Sequence, residues 1–219
     1  MTVRTRTDVQ AAAGRKAPTA PTVRPAGVLD LRGRTAAELR YPLGDLLVVS
    51  GLPGSGKSTL MRRVVAAADG RGAPVRRVDS QDARERVERR MPRAVPYAAY
   101  RPFARLVHYA SLWRALRSEM SVVVHDCGQR SVVRRWLARE ARRRGGSVHV
   151  LLLAVDPATA LAGQAARGRG VSAYAFARHR RAMAGLTAAA TAGRRPAGAE
   201  SVTVVDRRCA DALRAITFG

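Results

Sequence analysis

The sequence predicts an α/β fold built on a five-stranded parallel sheet with helices on both faces. Three observations carry this. Five short apolar runs alternate with helix-patterned segments, the rhythm of βαβ units. The first of them, Leu46–Ser50, is continuously apolar rather than alternating, as a strand buried on both faces is. A glycine-rich loop, Gly51-Leu52-Pro53-Gly54-Ser55-Gly56-Lys57-Ser58-Thr59, joins the first run to the first helix; strand, loop and helix in that order are the setting in which G-x-x-x-x-G-K-[ST] cradles phosphate.

The elements follow in order. Residues 1–26 are rich in Ala, Thr, Pro and Arg without periodicity and read as a disordered basic tail. Residues 27–219 form the domain, opening with a lead-in (27–45) that holds a short amphipathic stretch around Thr35–Arg40. Leu46–Ser50 is the first strand, and a helix is expected from Lys57 to Ala68. Pro74–Asp79 reads as the second strand and Gln81–Arg90 as a helix. Met91–Phe103, with Pro92, Pro96 and Pro102, is expected to be irregular, and Ala104–Glu119 helical. Ser121–Asp126 is the third strand. Ser131–Arg144 is a helix closed by Gly145-Gly146. Ser147–Val155 is the fourth strand, and helices are expected at Pro157–Arg167 and Ala173–Leu186. A loop covers 187–200, Ser201–Val205 is the fifth strand, and a short helix ends the chain.

The formal charge of +24 rests on 40 basic residues, of which only Lys16 and Lys57 are lysine. Such a surface attracts polyanions. The abundance of alanine, valine and arginine also fits a GC-rich coding bias, so the charge suits either a composition-driven surface around an anionic nucleotide or a nucleic-acid partner. Cys127 and Cys209 stand in no metal spacing and are expected to be reduced thiols of a cytoplasmic protein. No apolar run approaches the length of a membrane span, and the basic N-terminus lacks the apolar core of a secretory signal.

The chemistry gathers where strands end. Gly51, Gly54 and Gly56 free successive N–H groups to form an anion nest at a helix N-terminus. Lys57 is placed for the β- and γ-phosphates, and the Ser58 hydroxyl for Mg²⁺. Val122-Val123-Val124-His125-Asp126 has the form of a Walker B strand, with Asp126 the second metal residue. The second strand ends Asp79-Ser80-Gln81-Asp82-Ala83-Arg84. A carboxylate there can take a proton from an attacking hydroxyl, and an arginine beside it can hold an anion; Asp79 or Ser80 can equally cap the next helix. Arg167-Gly168-Arg169 follows the fourth strand, between two helices, where lid arginines could close on transferring charge or form a solvated turn. Cys127 rather than glutamate follows Asp126, which disfavours motor ATPases. With no lysine outside Lys16 and Lys57 there is no N-K-x-D for reading guanine, and neither the L-S-G-G-Q signature nor protein-kinase motifs occur.

Taken together, G-L-P-G-S-G-K-S-T, D-x-x-D-x-R, V-V-V-x-D and L-x-V-D-P followed by R-G-R occur in one order over residues 44–206. In this the chain resembles the small P-loop kinases often described as AAA-type ATP-binding proteins, whose relatives include polynucleotide kinase, zeta toxin, gluconate kinase and chloramphenicol phosphotransferase. The resemblance implies a P-loop NTPase fold with a small helical lid at about 164–175. It implies ATP as donor, Mg²⁺, and transfer to a hydroxyl of an acceptor, a small molecule or a nucleic-acid end; the bland residues outside the loop equally suit a nucleotide-dependent regulatory ATP-binding protein with little turnover. By this resemblance the catalytic set is Lys57, Asp82, Arg84, Arg167 and Arg169, with Asp79 competing for the role of base and Arg130 a weaker candidate. Two departures stand out. Gln81 sits three residues before the arginine, where polynucleotide kinases carry the base, and Gln164 sits where the lid helix often carries an arginine. For a nucleic-acid substrate, Tyr97, Tyr100 and Phe103 among the arginines of 84–117 offer stacking faces.

Overall fold

A computed structural model describes residues 21–92, 94–126, 131–166, 168 and 170–219, with backbone only at Tyr97, Ala98 and Asp126. In chain order the elements are β1 (Thr22–Val23), β2 (Gly27–Asp30), β3 (Glu38–Tyr41), β4 (Leu46–Gly51), α1 (Lys57–Val64), β5 (Arg76–Val78), α2 (Ser80–Glu88), α3 (Tyr97–Leu116), β6 (Val122–Asp126), α4 (Ser131–Arg143), β7 (Val148–Leu153), α5 (Pro157–Ala165), α6 (Ala173–Thr191), β8 (Ser201–Val205), α7 (Arg207–Ala212) and β9 (Ala215–Phe218).

The main sheet is parallel, in the order β2-β8-β7-β4-β6-β5. The expected five strands are all present, and β2 makes a sixth, pairing Gly27 with Ser201 through Asp30 with Val204. Its four residues are half-buried, too short a pattern to read as a strand without its partner. A second, three-stranded sheet, β1-β3-β9, is also parallel. The stretch expected to be merely amphipathic is β3, whose Leu39 and Tyr41 point inward, and the chain continues past α7 into β9, whose Ile216 and Phe218 do the same. Thr22 and Val23, placed with the tail by composition, pair with β3; residues 1–20 lie outside the described residues.

Other boundaries moved for local reasons. Helix α1 stops at Val64 because Val65 turns extended and bridges Ile216. Helix α3 begins at Tyr97, six residues before the expected irregular segment ends, and carries Pro102 inside it. Helix α6 runs on to Thr191 through an alanine run of high helix propensity.

The central strands alternate their side chains between two cores. Leu47, Val49, Val123 and Leu151 face α1, α7 and the small sheet, packing on Leu60, Met61, Leu213 and Phe218. Leu46, Val48, Val124 and Val150 face the other helices, packing on Leu112, Leu137, Phe176 and Met183. At the N-terminal edge of the sheet, His149 Nε2 lies 2.7 Å from Asp45 Oδ2 and its Nδ1 lies 2.7 Å from Ser201 Oγ. The Ser147 N–H donates to the other Asp45 oxygen at 2.8 Å, and the Tyr41 ring packs against the imidazole. No helix among the described residues is long and apolar enough to cross a membrane.

Candidate functional site

The site lies at the opposite, C-terminal edge of the sheet, where ligands of open parallel sheets bind. Strand β4 delivers the loop and α1 begins at Lys57. Gly54 (φ 88°) and Gly56 (φ 94°) hold backbone conformations that L side chains resist. A Cβ on Gly54 would also stand 2.0 Å from the Ala160 carbonyl oxygen. The buried Lys57 ammonium folds back over the loop, donating to the carbonyl oxygens of Gly51 (2.9 Å) and Leu52 (2.6 Å). Backbone N–H groups and a compact cation thus converge on one small volume, which fits phosphate.

Ser58 and Asp79 are buried neighbours. Strands β5 and β6 pair with Val78 level with Val124, which sets Asp79 beside His125. Asp79 Oδ1 accepts from His125 Nδ1 at 2.9 Å and from the Gln81 N–H at 2.9 Å, capping α2. Burial works against its charge, yet His125, the adjacent Ser58 hydroxyl and the Gln81 N–H together hold the carboxyl well below the usual range. Asp79 is therefore the helix cap and also a partner of the loop. Asp82, in the first turn of α2, is exposed. Desolvation and the nearby Asp79 charge raise its pKa.

Asp126 stands in register with Ser50, immediately before the loop, where a Walker B carboxylate belongs; its side chain lies outside the described residues. So do Cys127, Arg130, Arg167 and Arg169. Arg84 reaches along α2 to Glu88, 3.8 Å away. The hydroxyl of Ser58 and the carboxylate of Asp79 are hard oxygen donors of the kind Mg²⁺ takes.

Three contributors escaped the sequence reading. A Cβ on Gly163 would stand 2.4 Å from the Gly54 carbonyl oxygen, so α5 packs directly on the loop. Gln164, noted in sequence only as a missing arginine, donates from Nε2 to the Pro53 carbonyl at 3.2 Å and accepts from the Val171 N–H at 2.9 Å, tying the segment between α5 and α6 to the loop. Arg207 brings its guanidinium to 3.0 Å from where a Gly56 side chain would begin, adding positive charge at the start of α1. No local motif marks any of them.

Of the aromatic residues expected to offer stacking faces, Tyr100 is buried against Val87 and Ala104, Phe103 is exposed, and the Tyr97 side chain lies outside the described residues. Tyr109 and Trp113 are exposed further along the same helix, and the Arg117 guanidinium lies 4.5 Å above the Trp113 ring.

Fold and loop define a P-loop protein of the kinase-like type. The family described as an AAA domain (AAA_33) matches residues 46–191, and the chain belongs to it. No curated protein matches by sequence. Among solved structures, the chain is similar to a component of the PezAT chromosomal toxin–antitoxin system of Streptococcus pneumoniae, with 13% identity, a TM-score of 0.54, and 75% of this chain and 69% of that one covered. It is also similar to a protein from Chloroflexus aurantiacus provisionally named a kinase, with 14% identity, a TM-score of 0.50, and 74% and 87% covered. At such identities the likeness is one of fold.

Proposed function

We propose that the protein is an ATP-dependent phosphotransferase that moves the γ-phosphoryl group of ATP to a hydroxyl of an acceptor. The observation that carries this reading is the convergence at one sheet edge of a buried lysine over a glycine nest and an exposed carboxylate, Asp82, on the neighbouring helix. Lys57 and the loop N–H groups would bind the phosphates and offset their charge. Ser58, with Asp79 and Asp126 nearby, would hold Mg²⁺, which supplies charge neutralisation on the phosphate oxygens. Asp82 would accept the acceptor's proton as its oxygen bonds to the γ-phosphorus and the bond to the β-phosphate oxygen breaks, releasing ADP. Arg167 and Arg169 are proposed to close on the transferring group.

The test is ATP consumption by purified protein against nucleosides, sugars, antibiotics and oligonucleotides. Turnover should require an acceptor and vanish in Lys57→Ala. Ordinary turnover with no acceptor present would overturn the kinase reading.

A nucleic-acid acceptor is favoured by one specific observation. The exposed face of α3 carries Phe103, Leu106, Tyr109 and Trp113 in a stripe, flanked by the exposed Arg101, Arg105, Arg114 and Arg117. Aromatic faces among guanidinium groups suit a single strand, through base stacking and phosphate contact. A labelled 5′-hydroxyl oligonucleotide should then bind with steep salt dependence and become phosphorylated; neither occurring removes this reading.

A further inference from the structure

We propose that Arg207 grips the non-transferred phosphates of the donor nucleotide, reaching the phosphate loop from the side opposite the carboxylates. The proposal rests on the nucleotide-site reading above and adds a residue to it.

Contact comes first. Arg207 opens α7, far from the loop in sequence, yet its Nη1 would stand 3.0 Å from a Cβ on Gly56. Gly56 is the N-cap of α1 and Lys57 its first residue, so the guanidinium lies against the start of the anion nest. The residue is exposed, and among the described residues no ion pair or hydrogen bond occupies its side chain. Its neighbour Asp206 is engaged elsewhere, accepting from the Cys209 N–H and from the Gly33 N–H at 2.7 Å each. The second of these bonds ties the turn after β2 to the start of α7, and so fixes the backbone that carries Arg207. A guanidinium held beside a phosphate loop with its N–H groups unused is a fork suited to phosphate oxygens.

Topology decides which phosphates it meets. In the main sheet β6 and β5 lie on one side of β4, and β7 and β8 on the other. Asp79, Asp82 and Asp126 arrive from the β5–β6 side, where Asp82 would meet the acceptor. Arg207 arrives from β8. An apolar cavity of about 340 Å³ opens on the β7 side, lined by Leu52, Leu153, Val155, Pro157 and Met183, a volume within the range of small-ligand sites. A nucleotide lying along the edge therefore turns its γ-phosphoryl toward Asp82 and its nucleoside toward β7 and β8. Lys57 serves the β- and γ-phosphates, and Arg207 takes the α- and β-phosphates.

Calorimetry with ATP, ADP and inorganic tripolyphosphate, each with Mg²⁺, tests this. Arg207→Ala should weaken all three by a similar factor, about 10- to 100-fold, the loss of one charge-assisted contact. Arg207→Lys, which keeps the charge and loses the fork, should fall between. Arg208→Ala removes the same unit of charge one residue on and should stay within about fivefold, as a screened surface charge does. A loss confined to ATP would place Arg207 on the γ-phosphoryl, and unchanged tripolyphosphate binding would place it on the nucleoside; either overturns the assignment. So would equal losses in Arg207→Ala and Arg208→Ala, the mark of net charge alone. Wild-type protein that binds ATP no better than Lys57→Ala would overturn the nucleotide-site reading itself. Normal wild-type binding with an unaffected Arg207→Ala would remove the arginine and leave that reading standing.

Discussion

Among the described residues, two Asp–His pairs stand at opposite ends of the same sheet, one fully buried and one with a part-buried histidine. Asp45–His149 closes the N-terminal edge at 2.7 Å, and Asp79–His125 closes the C-terminal edge at 2.9 Å. The chemistry is the same and the surroundings differ. Around Asp45 every neighbour is structural: the Ser147 N–H, the Ser201 hydroxyl on the far side of His149, and the Tyr41 ring. Around Asp79 the neighbours are Ser58 of the phosphate loop and the start of α2. In a parallel sheet, strand polarity gathers loops of functional geometry at one edge only. A pair at the other edge can do no more than staple strands together.

The contrast is breakable by substitution. The largest effect on stability is expected from Asp45→Ala, which strands the Ser147 N–H and one His149 nitrogen inside the protein. About 2–5 kcal/mol should be lost, read as a lower urea midpoint, with nucleotide affinity of the folded fraction unchanged. Asp79→Asn should show the reverse profile, with a smaller stability loss than Asp45→Ala because cap and shape survive. Equal stability losses at both sites would erase the distinction.

Next in size is Gly163→Ala, which drives a methyl group against the Gly54 carbonyl. It should cost about 1–3 kcal/mol and weaken nucleotide binding by at least tenfold, measured by calorimetry. A neutral outcome would show that α5 and the loop are not mechanically joined.

Acid sharpens the comparison further. The folded-state pKa of Asp79 lies below its unfolded value, so its contribution is present above about pH 4 and is lost as pH falls through the folded value. Asp79→Asn should therefore flatten the decline of stability below pH 4 in urea titrations. The smallest expected effect concerns Asp82. Its raised pKa should put the acid limb of the kcat/KM profile above the ordinary carboxylate range near pH 4, and that limb should be absent from whatever activity Asp82→Asn retains.

Legibility followed sequence distance. The phosphate loop is nine contiguous residues after an apolar strand, so Gly51 to Thr59 could be read directly, as could five strands of the main sheet. Strands β2, β3 and β9 are four residues each and acquire meaning only through remote partners, Glu38 with Ala215 among them. Gly163, Gln164 and Arg207 meet the loop across the fold, with no local pattern to mark them. Asp79 and Asp82 were visible as a pair, yet order along a chain carries no information about burial, which is what separates them. Tyr100 failed for the same reason: an aromatic residue among arginines reads as a stacking face until α2 is found against it.

The small sheet has a temporal consequence. Strand β3 pairs with β9 on one side, and β2 waits for β8. During translation, Lys57 leaves the ribosome roughly 160 residues before Phe218, an interval on the order of ten seconds at about 5–20 residues per second. Throughout it, Leu39 and Tyr41 lack the β9 side of their sheet. The nascent chain therefore carries a finished phosphate-loop sequence on an open framework until β9 emerges to close it.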